Sequence, residues 1–478
     1  MKFIFTLLLL SVAYVHAQYK TADWTNEFEP KGTKQLVGTW SNGTTAGIVF
    51  SDKQDNISAI NITLCDLEGK TASVFDHNFE KPVNSIIGGY NKGDGFVVIY
   101  ETITEKNGSF TQEIKSLELK RDESKNEKTL AEFTVTNKTH FCHAKFAQSL
   151  NLKKNLVFIE TPFRAGEKEE ITFIVYDENG NEESNTKAQM DLDSKQNVRN
   201  YPQITNNGNV FFLKKDKDKN IPRYFICSYE PATKNLNKKL VALTNTNITE
   251  IRGQVTPQNE FLVGGFTASS PEHFYEGYYL FKFDLACIQK FKTQGQFDEA
   301  TFLKFLSKKE YSKDPVIKDF YIDNITILPT GKIFMSAECY KEEKSGEVMW
   351  ALYKDVMLLS FDEAGKYKTA FKYAKIQPLK ADQSLWASYK VFPNNDTLVI
   401  AHNYVAKTEG TKNPEPLLTY VNVHERYGTK TVSNNKTGKQ TNSFYFLPEL
   451  VFNPEKKQYI ALFSNADRTK FKLGIFDL

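Results

Sequence analysis

The chain has 478 residues, 40% of them apolar and 13% aromatic, and its 61 basic and 58 acidic residues leave a formal charge of +3. Such a composition belongs to a folded protein with a sizeable core and excludes a disordered one. Charges of both signs are interspersed, so nucleic acid and anionic membrane surfaces are not expected partners.

Residues 1–17 carry a targeting pattern. Lys2 gives a basic start, residues 3–15 are apolar, and Val15 and Ala17 occupy the −3 and −1 positions before Gln18. This is the pattern of a secretory signal peptide cut after Ala17, and an apolar run of about 13 residues is too short to span a membrane. No later run is long enough for a spanning helix, and the C-terminal residues carry no lipid-anchor signal. The mature protein, 18–478, is expected to be a single exported, soluble and monomeric domain.

Residues 18–35 form a polar lead-in with one strand near Trp24 and Phe28. Strand-and-turn units then follow one another. The first covers 38–76, the second starts at Val83, the third at His140, the fourth at Asn200 and the fifth at Glu250. An interruption comes next: Phe302, Phe305 and Leu306 fall at helical spacing behind Asp298, which predicts a capped amphipathic helix over 298–309, packed as a satellite on the outside. The sixth unit, 326–371, is the clearest. Ile327-Leu328, Ile333-Phe334-Met335, 356–361 and 367–371 are four strands, separated by a Pro329-Thr330-Gly331 turn, a polar insert and an Asp362-Glu363-Ala364-Gly365 turn. The seventh unit starts near Ser384. The eighth starts at Phe444 and ends one strand short.

The second strands align at 47–50, 96–99, 156–159, 210–213, 261–263, 333–335, 398–400 and 459–462. Their spacing, roughly 50 to 70 residues, is longer than that of WD repeats and nearer to kelch repeats. Third strands run into an Asp-x-x-Gly turn at Asp66–Gly69, Asp177–Gly180 and Asp362–Gly365. Each sheet is apolar on both faces and must stack on neighbours, which predicts an all-β protein: one β-propeller of eight four-stranded blades, with seven or six as alternatives. The competing arrangement is a pair of sandwiches or two smaller propellers. The strand missing from the last blade is expected to come from 18–35.

Residues 325–403 read ITILPTGKIFMSAECY, DVMLLSFDEAGKYKTAFKYAKIQP and SYKVFPNNDTLVIAHN. This stretch resembles a family of secreted, largely uncharacterised β-propeller proteins. It departs from that pattern in a less Tyr-rich insert after Tyr340 and in His402-Asn403, where Asn-Asp is usual. The resemblance implies the fold and assigns no catalytic residues.

The five cysteines, Cys65, Cys142, Cys227, Cys287 and Cys339, are widely spaced and read as core thiols within strands. Nine sequons, at Asn42, Asn56, Asn61, Asn107, Asn137, Asn247, Asn324, Asn395 and Asn435, are candidate N-glycosylation sites on exposed loops. His140, Cys142 and His143 resemble a metal corner without the further ligands zinc needs. Asp216, Asp218 and Asn220 resemble a calcium loop, but Ile221 stands where Gly belongs and the bidentate Glu is missing, so a solvated hairpin turn is expected. Asp177–Asn181 reads as a turn too. Asp323, Glu338 and His402 lie near strands that approach the axis. As a catalytic set they are weaker than their reading as ordinary loop polars.

No cofactor motif and no nucleophile motif appears in the sequence. The expected function is a secreted, non-enzymatic propeller that binds an extracellular protein or glycan through its loop face, with Trp24, Trp350 and Trp386 as candidate contacts. The alternative is an extracellular carbohydrate hydrolase or lyase with its site at the propeller axis.

Overall fold

The computed structural model describes residues 23–477 except 31, 33–34, 67, 69, 194–198, 219–220, 270–273, 346–347, 381–386, 405–416, 425–427, 437–443, 454–457 and 466. The signal-peptide pattern lies outside the described residues. The chain is an all-β propeller of antiparallel sheets that follow one another along the sequence. Seven of the sheets are four-stranded, and the sheet of 320–373 carries a fifth strand, Gln377–Lys380. Blades 1 to 7 occupy 35–83, 85–135, 143–193, 199–240, 247–296, 320–373 and 390–436. Blade 8 combines 444–477 with Asp23–Trp24. The first strand of each blade is innermost and touches its counterparts on both sides. The innermost strand of blade 8 touches that of blade 1, so the ring is closed.

The second strands are apolar on both faces because both faces meet a neighbouring blade. In blade 1, Ile48 and Phe50 pack against blade 8, while Val49 packs against blade 2. One apolar cluster fills each seam around the ring. At about 1.5–3 kcal/mol for each fully buried large apolar side chain, stacking is what makes each meander stable. Phe158, Phe173, Phe212 and Tyr229 of the seam between blades 3 and 4 are all completely inaccessible.

The N-terminal lead-in supplies the missing strand, as the truncated last unit predicts. Asp23 pairs with Ile475 and Trp24 with Gly474. Beyond this strand, Phe28 bridges to Phe471, and their rings stack at 6.0 Å.

The Asp-x-x-Gly turns form as predicted where they are described. The Asp362 carboxylate accepts from the Ala364 and Lys366 N–H groups, and Gly365 takes φ 78°. Asp177 and Gly180 repeat this arrangement. Blade 5 uses the same turn with Cys287 in the glycine position at φ 57°, behind Asp284, whose carboxylate accepts from the Ile288 N–H. The sequence pattern misses this turn because only the cap residue is shared.

Two helices replace the single one expected over 298–309. Helix α1 is Glu299–Phe305, capped by Asp298, and α2 is Lys308–Lys313. They separate because Ser307 and Glu310 form a capping box that starts a new helix after Leu306. Phe302, Phe305 and Leu306 pack onto the seam between blades 5 and 6 from outside, as a satellite helix should.

Candidate functional site

The described polar residues converge most at the seam between blades 6 and 7, at the end opposite the Gly331 and Gly365 turns. The innermost strand of blade 6, Phe320–Ile327, carries a β-bulge between Ile322 and Asn324, which makes Asp323 the extra residue. Bulges at the matching point of blades 1, 2 and 5 place Val37, Ile87 and Thr249 there instead. A bulge re-aims its side chain, and only in blade 6 is that side chain an acid.

Glu338 sits on the second strand of blade 6, Ile333–Ser345, and Lys375 follows its fourth strand, Tyr367–Tyr373. Their side chains form an ion pair, 5% and 1% exposed. Ser388, from the connection into blade 7, donates to the other Glu338 oxygen at 2.6 Å and holds a left-handed backbone at φ 68°. Such strain persists only where the surroundings enforce it. Lys375 also donates to the Gln377 amide oxygen at 2.7 Å, and Gln377 donates to the Asn403 carbonyl at 2.7 Å.

His402 is enclosed by the same network. Its Nδ1 lies 2.8 Å from the Asn403 carbonyl and its Nε2 2.7 Å from the Tyr373 hydroxyl. A carbonyl only accepts, so Nδ1 carries the proton and Nε2 accepts from Tyr373. Burial, followed by the charge of Lys375, lowers the His402 pKa to about 4, so the ring is neutral at physiological pH. Burial likewise lowers that of Lys375, against the pull of Glu338.

Asp323 differs from these groups. Its residue surface is open to solvent, yet its carboxyl is crowded by protein. It makes no ion pair within 4.0 Å among the described residues. Burial, followed by the Glu338 charge, raises its pKa to about 7, and Arg252 of blade 5 opposes this only weakly. The Tyr389 hydroxyl lies beside Asp323 and Ser336 but in hydrogen-bonding geometry with neither.

Above the network, the second and third strands of blade 6 run to 13 and 14 residues, and Gln377–Lys380 pairs along their extension. Tyr321, Tyr340 and Tyr353 form a ladder there, with centroids 6.4 and 4.9 Å apart and planes tilted by 68° and 52°.

A second buried polar cluster lies between blades 3 and 4. Glu160 accepts from the Asn200 N–H at 2.8 Å, the Asn200 amide donates to Glu169 at 3.0 Å, and Lys214 pairs with Glu169. Burial raises the Glu160 pKa to about 7. All four residues are at most 8% exposed, so the cluster is a structural staple rather than a site open to ligand. Two surface hollows, of about 540 and 430 Å³, lie on the flank of blade 5 and beside the helices, and neither includes residues of the blade 6–7 network.

The structure therefore brings Asp323, Glu338 and His402 together, and Lys375, Ser388 and Tyr389 join them without any sequence signal. His140 packs edge-on to Phe163 at 4.9 Å, and the backbone of Cys142 is clasped by Gln112. No group of three or more potential ligands is placed to hold a metal among the described residues. Asp216 corrects the expectation of a solvated turn: it is 1% exposed and pairs with Arg223 at 2.9 Å across the hairpin. The Asp177 carboxylate accepts three hydrogen bonds within its own turn. All five cysteines are buried free thiols. Trp350 is half-buried on the blade 6 extension, the Trp24 backbone pairs in blade 8, and Trp386 lies outside the described residues.

Among the sequons, Asn56, Asn107, Asn137 and Asn395 are exposed on turns. Asn42, Asn247 and Asn324 are half-buried, and Asn435 lies on the last strand of blade 7. Asn61 corrects the loop expectation: it is 1% exposed within a strand and donates to Asp76 at 2.7 Å, which leaves no room for a glycan in the folded blade.

These features define a β-propeller with a polar, tyrosine-bordered rim on blade 6. No protein-family profile and no curated protein matches the chain. Among solved structures, it is similar to the polysaccharide lyase Uly1, at 10% identity and a TM-score of 0.41, covering 96% of this chain and 100% of that one. It is also similar to the WD40 domain of SCAP from fission yeast, at 7% identity and a TM-score of 0.42, covering 96% of both chains. A third is the β-propeller domain of the Trilobed protease from Pyrococcus furiosus, at 12% identity and a TM-score of 0.37, covering 82% and 94%. At these values none of them bears on activity, substrate or partner.

Proposed function

We propose that this is a secreted, non-enzymatic propeller that binds an extracellular protein or glycan through the rim of blades 5 to 7. One observation carries the reading: the candidate acid–base groups satisfy one another. Both His402 nitrogens are engaged, and Glu338 is closed off by Lys375 and Ser388. Beside them runs a row of tyrosines on a rigid scaffold, Tyr321 exposed and Tyr340 and Tyr353 half-buried, the kind of surface that contributes contact area at low entropic cost. Exposure of Tyr321 and Met349, each 41%, fits a contact surface at this edge.

A hydrolase or lyase is the second reading, favoured by Asp323, a carboxyl that burial and the Glu338 charge keep protonated up to about pH 7. Purified protein incubated with extracellular polysaccharides, followed by assays for new reducing ends and unsaturated products, separates the two. The binding reading expects no turnover, together with array binding that Tyr353→Ala weakens. Turnover lost in Asp323→Asn overturns it.

A further inference from the structure

The hollow of about 540 Å³ on blade 5 lies at the end opposite the Cys287 turn, the end that also carries the blade 6–7 network. Its size falls within the roughly 300–1,000 Å³ of ligand sites. One wall is the connection 241–246 from blade 4, and the other is the outermost strand of blade 5, Gln289–Gln296. Gln294 ties the two together: its side chain accepts from the Thr244 N–H at 3.1 Å and donates to the Thr244 carbonyl at 2.8 Å. Lys292 adds a bond to the Ala242 carbonyl at 3.0 Å. The walls are therefore held in place before any ligand arrives.

The floor is a row across three strands, Thr267, Gly277 and Gln296. Gly277 leaves it bare, since a Cβ there would lie 2.8 Å from the Thr267 hydroxyl and strike the Gly295 carbonyl. Thr267 is 3% exposed, lines the hollow and has no hydrogen-bond partner among the described residues. Such a hydroxyl is uncommon in a folded protein and offers a ligand an unused hydrogen bond. At the mouth, the exposed side chains of Asn245 and Gln296 are likewise unpartnered among the described residues. The acid is already engaged: Glu276 accepts from the Ser269 N–H at 3.0 Å and the Ser269 hydroxyl at 2.7 Å. No Leu, Ile, Val, Met or aromatic residue lines the hollow.

What remains on offer is one hydroxyl and two amides, each able to donate and to accept. An apolar ligand would find no surface to bury against. An anion would meet Glu276 and a cation Lys292. A sugar ring, which presents neutral hydroxyls around its edge, matches this set of groups. The geometry points to a saccharide subsite in the blade 5 hollow: a neutral sugar unit whose hydroxyls are bound by the Thr267 hydroxyl and the Asn245 and Gln296 amides. This rests on the binding reading and narrows it, naming a glycan rather than a protein as the ligand that blade 5 takes.

The test is saturation-transfer NMR of the full chain with cellobiose, maltose, lactose and diacetylchitobiose at millimolar concentration, followed by titration of whichever binds. At least one is expected to bind, with a Kd unchanged between about 0.05 and 0.5 M NaCl, because contacts between neutral groups are not screened. Thr267→Val keeps the buried shape and should raise that Kd about threefold to tenfold, the range of one hydrogen bond. Asn245→Gly, which the left-handed φ of 54° accepts, and Gln296→Ala are surface changes that give the same reading if Thr267→Val folds poorly. Failure of all four disaccharides to bind overturns the site, as does binding that none of the three variants weakens. Binding that fades with salt overturns the neutral class. If the disaccharides fail while Tyr353→Ala still weakens array binding, this inference falls and the binding reading stands.

Discussion

Lys375 and Glu338 form an ion pair that is sealed from solvent at the seam of two blades, with Ser388 donating to the Glu338 carboxylate and Gln377 accepting from Lys375. Taking two charges out of water costs several kcal/mol each, and such a pair is held only where its geometry is complete. Its consequence is asymmetric. Removing one partner strands a buried charge, while removing both need cost little.

Lys375→Met should therefore destabilise the propeller by about 3–5 kcal/mol, whereas the Lys375→Met, Glu338→Leu double variant should recover most of that loss. Urea unfolding of the parent, the single variant and the double variant checks this. A double variant as unstable as the single one would show that the pair adds net stability rather than merely tolerating burial.

The staple between blades 3 and 4 makes a pH prediction. Glu160 has its pKa raised from 4.5 to about 7. Between these values the folded chain holds a proton that the unfolded chain has lost, so the group's contribution to stability falls as pH rises from about 5 to 7. The full effect is on the order of 3 kcal/mol. Glu160→Gln keeps the acceptor for the Asn200 N–H and removes the titration. Asp323 shifts in the same direction, and His402, with its pKa lowered to about 4, acts oppositely between about 4 and 6.5. The difference between variant and parent isolates Glu160: it should grow in the variant's favour from pH 5 to pH 8. A difference independent of pH would refute the assignment.

Ring closure depends on the first described residues. The Thr25 N–H donates to the Leu473 carbonyl at 3.1 Å, the Thr25 hydroxyl accepts from the Leu473 N–H at 2.9 Å, and Phe28 sits between Phe50 and Phe471. Phe28→Ala should cost about 2 kcal/mol, less than a fully buried phenylalanine because this one is half-buried. It should also speed hydrogen exchange at Phe471, whose N–H donates to the Phe28 carbonyl. Unchanged exchange there would mean that the closing strand holds without its aromatic anchor.

Most of the architecture was legible in the sequence because it rests on local rules. Runs such as 156–159 and 210–213 are apolar on both strand faces, which only a sheet stacked on both sides can bury. The Asp362–Gly365 turn announces itself because a left-handed residue favours glycine. The same rule hid the Asp284–Cys287 turn, where blade 5 holds a cysteine in that conformation. The capping box at Ser307 and Glu310 was also in the sequence, but the apolar spacing of Phe302 and Leu306 obscured the break between helices.

The site was legible only in fragments. The sequence marks Asp323, Glu338 and His402 as polar residues near strands that approach the axis by topology, but residues 15 to 79 positions apart carry no mark of meeting. Composition and periodicity determined that the chain is a ring of antiparallel blades, closed by its own N-terminal strand, since those signals record which surfaces must leave water. Only the tertiary structure decided that the Glu338 charge is spent on Lys375, that both His402 nitrogens are taken, and that Asp323 is crowded by protein without an ion-pair partner among the described residues. Desolvation and pairing are properties of the assembled seam, where a bulge one residue long sets an acid against the Glu338 charge.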